Sequence, residues 1–75
     1  MAKSPISNTI RKLRFEHDEM TQKQLAEKVG VTRQTIVAIE SAKYAPSLEL
    51  AFRIAHVFNM PLEAVFIYDP EADSF

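Results

Sequence analysis

The one glycine of this 75-residue chain, Gly30, stands between two helix-start signals, and that spacing leaves little freedom in how the middle of the chain folds. Upstream, Thr21-Gln22-Lys23-Gln24 reads as a capping box: the Thr21 hydroxyl accepts from the Gln24 backbone N–H, and the Gln24 amide reaches back to the Thr21 N–H. Leu25, Ala26 and Val29 then recur at helical spacing and define an inner face. Gly30 follows at once, where a left-handed residue ends a helix without a Cβ penalty. Thr32 is a second N-cap, and Ile36 and Ile39 mark the buried side of a further helix, Arg33–Glu40. Two short helices joined by a tight turn are therefore expected at the centre.

The flanks read as helices too. Ile6, Ile10 and Leu13 predict a first helix over about residues 7–17. Ser47, after Pro46, caps a fourth helix reaching about residue 58, with Leu48, Ala51, Ile54, Ala55 and Phe58 as its apolar stripe. Pro61 suits the first position of a short fifth helix running to Phe66. Strands of alternating polarity are missing, so the fold class is all-α, five helices, with one qualification. The tail from Ile67 carries no helical signal, and Val65-Phe66-Ile67-Tyr68 reads as core closure, a short strand or a dimer contact. A chain of this length holds one domain, residues 1–75, with its core over about 6–67 and a tail over 68–75.

The overall net charge of −1 conceals a division. Up to Pro46, eight bases (Lys3, Arg11, Lys12, Arg14, Lys23, Lys28, Arg33, Lys43) face five acids, a net of +3. From Ser47 onward Arg53 stands alone against five acids, a net of −4. Only one end of such a molecule is suited to approach a polyanion. With no Cys, neither a disulfide framework nor a thiolate metal site supports the fold, and dimerisation is the remaining aid to stability. The start, Met1-Ala2-Lys3-Ser4-Pro5, has no apolar run of signal-peptide length, and no apolar stretch approaches a membrane span, so a cytoplasmic protein without membrane contact is expected. His17 and His56 lie far apart in sequence without a ligand-spaced acid cluster, and no phosphate-cradling glycine loop exists. Enzymatic activity, a metal, a cofactor and a small-molecule ligand are not expected.

With Ile36 and Ile39 turned inward, Gln34, Val37, Ala38 and Ser41 fall on the opposite face of the third helix, flanked by Arg33 and Thr35. That face has almost no acids, where an ordinary solvent-facing helix would carry Lys and Glu. An arginine fork matches guanine O6 and N7, a glutamine amide matches adenine N6 and N7, and an exposed valine can pack on a thymine methyl. A helix that reads the DNA major groove and an ordinary exposed helix both remain open on the residues alone.

The run from Met20 to Ile36, followed by Ala38-Ile39-Glu40 and by Lys43-Tyr44-Ala45-Pro46-Ser47-Leu48-Glu49-Leu50-Ala51, resembles the Cro/phage-repressor (XRE) family of helix-turn-helix regulators, in particular its free-standing short members. The resemblance covers Ile10 to Phe66. It implies a DNA-binding transcriptional regulator, a repressor in the expected case, acting as a homodimer on a palindromic operator in double-stranded DNA. Position by position it implies base contacts from Arg33, Gln34 and Ala38, with Thr35 and Val37 beside them. Gln22 matches a phosphate-contacting position and Lys43 the loop that clamps the DNA backbone; Thr32 and Tyr44 are placed with them. Arg14 and Glu40 match an ion pair tying the first helix to the end of the recognition helix. The dimer surface is expected at Phe66, Ile67 and Tyr68. Residues 15–20 are one longer than the family pattern and lack its glycine, and Ala42 stands where a glycine is frequent. The alternative is a protein-interaction module, such as an antitoxin neutralising a partner protein.

Overall fold

Local signals set most of the helical boundaries in the computed structural model, which describes residues 5–73. Lys3, counted among the bases above, and the last two residues of the tail lie outside the described residues. The elements in chain order are β1 (Ile6–Asn8), α1 (Ile10–Glu16), α2 (Gln22–Val29), α3 (Arg33–Glu40), α4 (Leu48–Val57), α5 (Leu62–Val65) and β2 (Phe66–Tyr68), followed by a 3-10 turn over Pro70–Ala72. Five helices therefore surround one core, and a two-stranded antiparallel ribbon closes the side where the first and last elements meet.

The capping box forms in full: Thr21 Oγ1 accepts from Gln24 N at 3.0 Å and Thr21 N donates to Gln24 Oε1 at 2.8 Å. Gly30 takes the left-handed conformation, φ 78°, and ends α2. Thr32 caps α3 through the Thr35 N–H, and Ser47 caps α4 through the Leu50 N–H. Ile10, Leu13, Leu25, Ala26, Val29, Ile36, Ile39, Leu50, Ile54, Ala55, Phe58 and Val65 make one continuous core.

Five expectations need correction. Residues 6–8 do not begin the first helix; they pair with β2 in the register Ile6↔Tyr68, Ser7↔Ile67, Asn8↔Phe66, and α1 starts at Ile10. The short strand at Phe66–Tyr68 is present, and its partner is the segment whose Ile6 mimicked helical spacing. Leu48 is not part of the α4 stripe: it is 68% exposed, and Leu50 takes its place in the core. Leu48 lies about 200° around the helix from Leu50, at ~100° per residue, so the two cannot share a face. Pro61 is the residue before α5 rather than its first, the helix ends at Val65, and the tail contains the 3-10 turn that no sequence signal announced.

The missing glycines leave their mark. Asp18 and Glu19, in the turn after α1, both have positive φ, 57° and 53°, and Ala42 after α3 has φ 60°. A non-glycine residue in this region costs ~1–2 kcal/mol. No helix among the described residues is long and apolar enough to cross a membrane.

Candidate nucleic-acid interface

The helix α3 rests its Ile36 and Ile39 in the core, and this orientation decides what the other face presents. Arg33 and Gln34 are exposed at its first turn, Val37 is 38% exposed one turn on, and Thr35 and Ala38 are half-buried at the edges. The Thr35 hydroxyl lies 3.0 Å from that of Thr32, and Thr35 N donates to Thr32 Oγ1 at 3.2 Å, so the start of α3 is tied by two threonines. No acid stands in the first turn of either α2 or α3.

Beside this face, Arg11, Arg14, Lys23 and Arg33 line a hollow at the first turn of α2, with Phe15, Gln22 and the acids Glu19 and Glu40. The Arg11 guanidinium sits 6.0 Å from the centroid of the Phe15 ring. Among the described residues ion pairs occupy only Arg14 and Arg53, so Arg11, Lys23, Arg33 and Lys43 keep their charge uncompensated by a contact carboxylate. These cations all belong to the basic half of the chain. The segment that follows α3 is closed by Ala42 N to Ile39 O at 3.0 Å and Lys43 N to Ala38 O at 3.0 Å, and the Lys43 side chain is exposed there.

Arg14 and Glu40 meet, Nε to Oε2 at 2.7 Å and Nη2 to Oε1 at 3.1 Å, with side chains only 13% and 11% exposed. Arg14 Nη1 also donates to Met20 O at 2.8 Å, and Gln22 Nε2 donates to Glu40 Oε1 at 3.4 Å. One carboxylate thus orients both the arginine of α1 and the glutamine that opens α2. The bond from Gln22 holds its amide at the helix start, in the wall of that hollow.

The residues expected at the dimer surface separate into two kinds. Ile67 and Tyr68 are exposed on the ribbon, whereas Phe66 is half-buried and packs against the core. An apolar groove of about 310 Å³ opens beside them, bounded by Ile6, Ile39, Tyr44, Leu48, Leu62 and Phe66. Tyr44 therefore lines this groove, together with ribbon residues. The sequence reading missed Ile6, Leu48 and also Asn8, whose side chain donates to Ile39 O at 2.9 Å and accepts from Ile10 N at 3.2 Å. An asparagine two residues before a helix is a visible capping signal, but its second partner, 31 residues on, is not. His17 Nδ1 donates to Leu13 O at 2.8 Å, and the ring packs edge-on against Phe58, the role of a helix-end residue. No three His, Asp or Glu side chains gather as a metal would require among the described residues.

A helix-turn-helix family model matches residues 10–65. An uncharacterized HTH-type transcriptional regulator of Archaeoglobus fulgidus is 55% identical over 62 residues, covering 83% of this chain and 87% of its own length. The uncharacterized HTH-type transcriptional regulator YgzD of Bacillus subtilis is 44% identical over 66 residues, covering 88% and 98%. The cryptic phage CTXphi transcriptional repressor RstR of Vibrio cholerae is 33% identical over 67 residues, covering 89% of this chain and 59% of its own. Among solved structures, a Bacteroides fragilis protein described as a candidate DNA-binding protein superposes with TM-score 0.71 at 28% identity, covering 81% of this chain and 97% of that one.

Proposed function

The chain belongs to the helix-turn-helix family of Cro and phage-repressor type, and on that premise we propose that it is a transcriptional regulator that binds a two-fold symmetric site in double-stranded DNA as a homodimer. The observation that carries this reading is the acid-free outer face of α3, with Arg33, Gln34 and Val37 exposed together while Ile36 and Ile39 hold the helix in the core. Arg33, Gln34, Thr35, Val37 and Ala38 take the base edges in the major groove. Gln22, Thr32, Lys43 and Tyr44 hold the phosphate backbone on either side, with Arg11 and Lys23 adding to the field. The RstR relative is named a repressor, and repression asks nothing of this chain beyond occupying its site.

The homodimer draws its support from the apolar face around the ribbon. Ile6 is exposed there and lines the groove with the half-buried Phe66 and the projecting Leu48, while the exposed Ile67, paired with Ser7, stands on the other face of the ribbon. A two-fold interface needs a surface complementary to itself, and a groove flanked by a projecting leucine meets that need. Ile39, in the last turn of α3, and Ala42, just beyond it, form part of the groove wall, and a two-fold dimer on adjacent half-sites holds its reading helices about one DNA turn apart, ~34 Å.

The experiment is selection of sites from random duplex DNA, with cytoplasmic-strength salt varied in the binding assay. A palindromic site with half-sites about 10 bp apart is expected. Gln34→Ala relaxes preference at one position of each half-site, at a cost of about 1–3 kcal/mol, whereas Lys43→Ala weakens all sequences alike and lowers the salt slope by about one unit per protomer. An unselective chain that instead forms a stable complex with a partner protein would favour the interaction-module alternative.

A further inference from the structure

We infer that Asn8 is a positioning residue that fixes the recognition helix against the ribbon and thereby sets the half-site spacing the dimer accepts, an inference that rests on the dimeric DNA-binding reading above. Asn8 is the last residue of β1 and pairs across the ribbon with Phe66. Its side-chain Nδ2 donates to Ile39 O at 2.9 Å and reaches Glu40 O at 3.5 Å, while Oδ1 accepts from Ile10 N at 3.2 Å. A single amide group therefore joins three elements: the ribbon, the first turn of α1 and the last turn of α3.

Those bonds fall on the last carbonyls of α3, with Ile39 O shared between Asn8 and the Ala42 N–H. The last four carbonyls of a helix have no partner within it. The turn after α3 supplies some through its own N–H groups, Ala42 N to Ile39 O and Lys43 N to Ala38 O, and Asn8 supplies a donor from outside the helix. The apolar groove opens beside this contact, with Ile6, Asn8 and Phe66 of the ribbon and Ile39 of α3 in its wall, so packing there is incomplete. The Arg14–Glu40 pair holds the same helix end, but from α1 and the opening of α2, so it fixes α3 within the helical body and carries no information about the ribbon.

In the dimer the ribbon and groove of each copy face the other, and the two α3 helices stand off from that interface through the Asn8 bridge. Adding one base pair between half-sites moves them apart by about 3.4 Å and turns them by roughly 35°. A rigid bridge makes either change costly; a loosened one lets each reading helix adjust.

The two variants that separate bridging from capping are Asn8→Asp and Asn8→Ser. Each keeps an acceptor for the Ile10 N–H. The aspartate places an acceptor against Ile39 O, and the serine is too short to span to it. Binding is measured on the site selected by the wild type, on that site with its centre lengthened or shortened by one base pair, and on that site with one base changed opposite Gln34. The wild type is expected to lose about tenfold or more on either spacing change and both variants less than about threefold, with the penalty for the changed base the same in all three proteins. Variants that bind every DNA more weakly, or melt earlier, yet keep the wild-type spacing penalty would show that Asn8 only stabilises the fold, and would overturn the inference. Should one variant fail to fold, the other decides; failure of both is the stabilising role and overturns it equally. A wild type that selects only single half-sites overturns the dimeric reading itself, a result seen before either variant is made.

Discussion

Glu40 receives Arg14 through two bonds, Nε to Oε2 at 2.7 Å and Nη2 to Oε1 at 3.1 Å, and both side chains are almost withdrawn from water. Removing Arg14 alone leaves a secluded carboxylate with only the 3.4 Å contact from Gln22. Breaking a buried pair in this way costs about 3–5 kcal/mol, against ~0–1 for an exposed one. We expect Arg14→Met to lose about 3 kcal/mol in denaturant melting and the double variant Arg14→Met, Glu40→Leu to recover much of that loss. Additive losses within about 0.5 kcal/mol would mean that the two side chains are not energetically coupled.

The two left-handed residues on either side of α3 make opposite predictions. Ala42 has φ 60° and Gly30 has φ 78°, and a Cβ built on Gly30 meets nothing within 4 Å, so backbone strain alone distinguishes the residues. Ala42→Gly is expected to stabilise by about 0.5–1 kcal/mol, the relief of left-handed strain less the greater freedom of an unfolded glycine. Gly30→Ala is expected to cost about 1 kcal/mol. In a domain this small, thermal melts resolve both as shifts of several degrees, about 4–8 °C per kcal/mol, in opposite directions.

The ionisation of Tyr68 is a reporter of the tail. Its hydroxyl donates to Asp73 Oδ2 at 2.9 Å, and that hydrogen bond, followed by desolvation and the charges of Asp73 and Asp69, raises its pKa above the ordinary 10.0. Because the folded value is raised, the contact's stabilisation is fully present below the unfolded pKa and is lost as pH climbs through the folded one. An ultraviolet titration of the Tyr44→Phe protein, in which Tyr68 is the remaining tyrosine, should show a midpoint above 10 that falls when Asp73→Asn is added. A midpoint indifferent to Asp73 would show that the tail does not fold back in solution.

What was legible in the sequence was what is decided within a few residues. The Thr21, Thr32 and Ser47 caps and the Gly30 stop each act on a backbone group three or four positions away, and each stands where the residue types place it. The spacing of Ile36 and Ile39 was enough to orient α3 and so to nominate Arg33, Gln34 and Val37 as its outer face. The ribbon was only half legible. Three residues are too few to show alternation, and Ile6 stands four before Ile10, a spacing that a helix also requires. What makes residues 6–8 a strand is Phe66–Tyr68, near the other end of the chain, and no local signal carries that information. Leu48 misled for a related reason: next to a capping serine it reads as the first apolar residue of a stripe, while the direction of the core, set by α2 and α5, selects Leu50.

The ribbon also orders events in time. Thr9 donates its hydroxyl to Ala64 O at 2.7 Å and its N–H to Val65 O at 2.9 Å, contacts that span 55 residues of chain in the hydroxyl bond. Closing so long a loop costs more entropy than any contact between neighbouring helices, and that cost is met only once the helices between have already shortened it. Assembly is therefore expected to begin with the α2–α3 unit and to finish with the joining of β1 to β2. Substitutions in the ribbon, such as Ile67→Ala, should speed unfolding and leave the refolding rate nearly unchanged, the signature of structure that forms after the barrier. A nascent chain in this scheme holds the proposed reading helix before it holds the proposed surface for a second copy, so recognition would mature ahead of pairing.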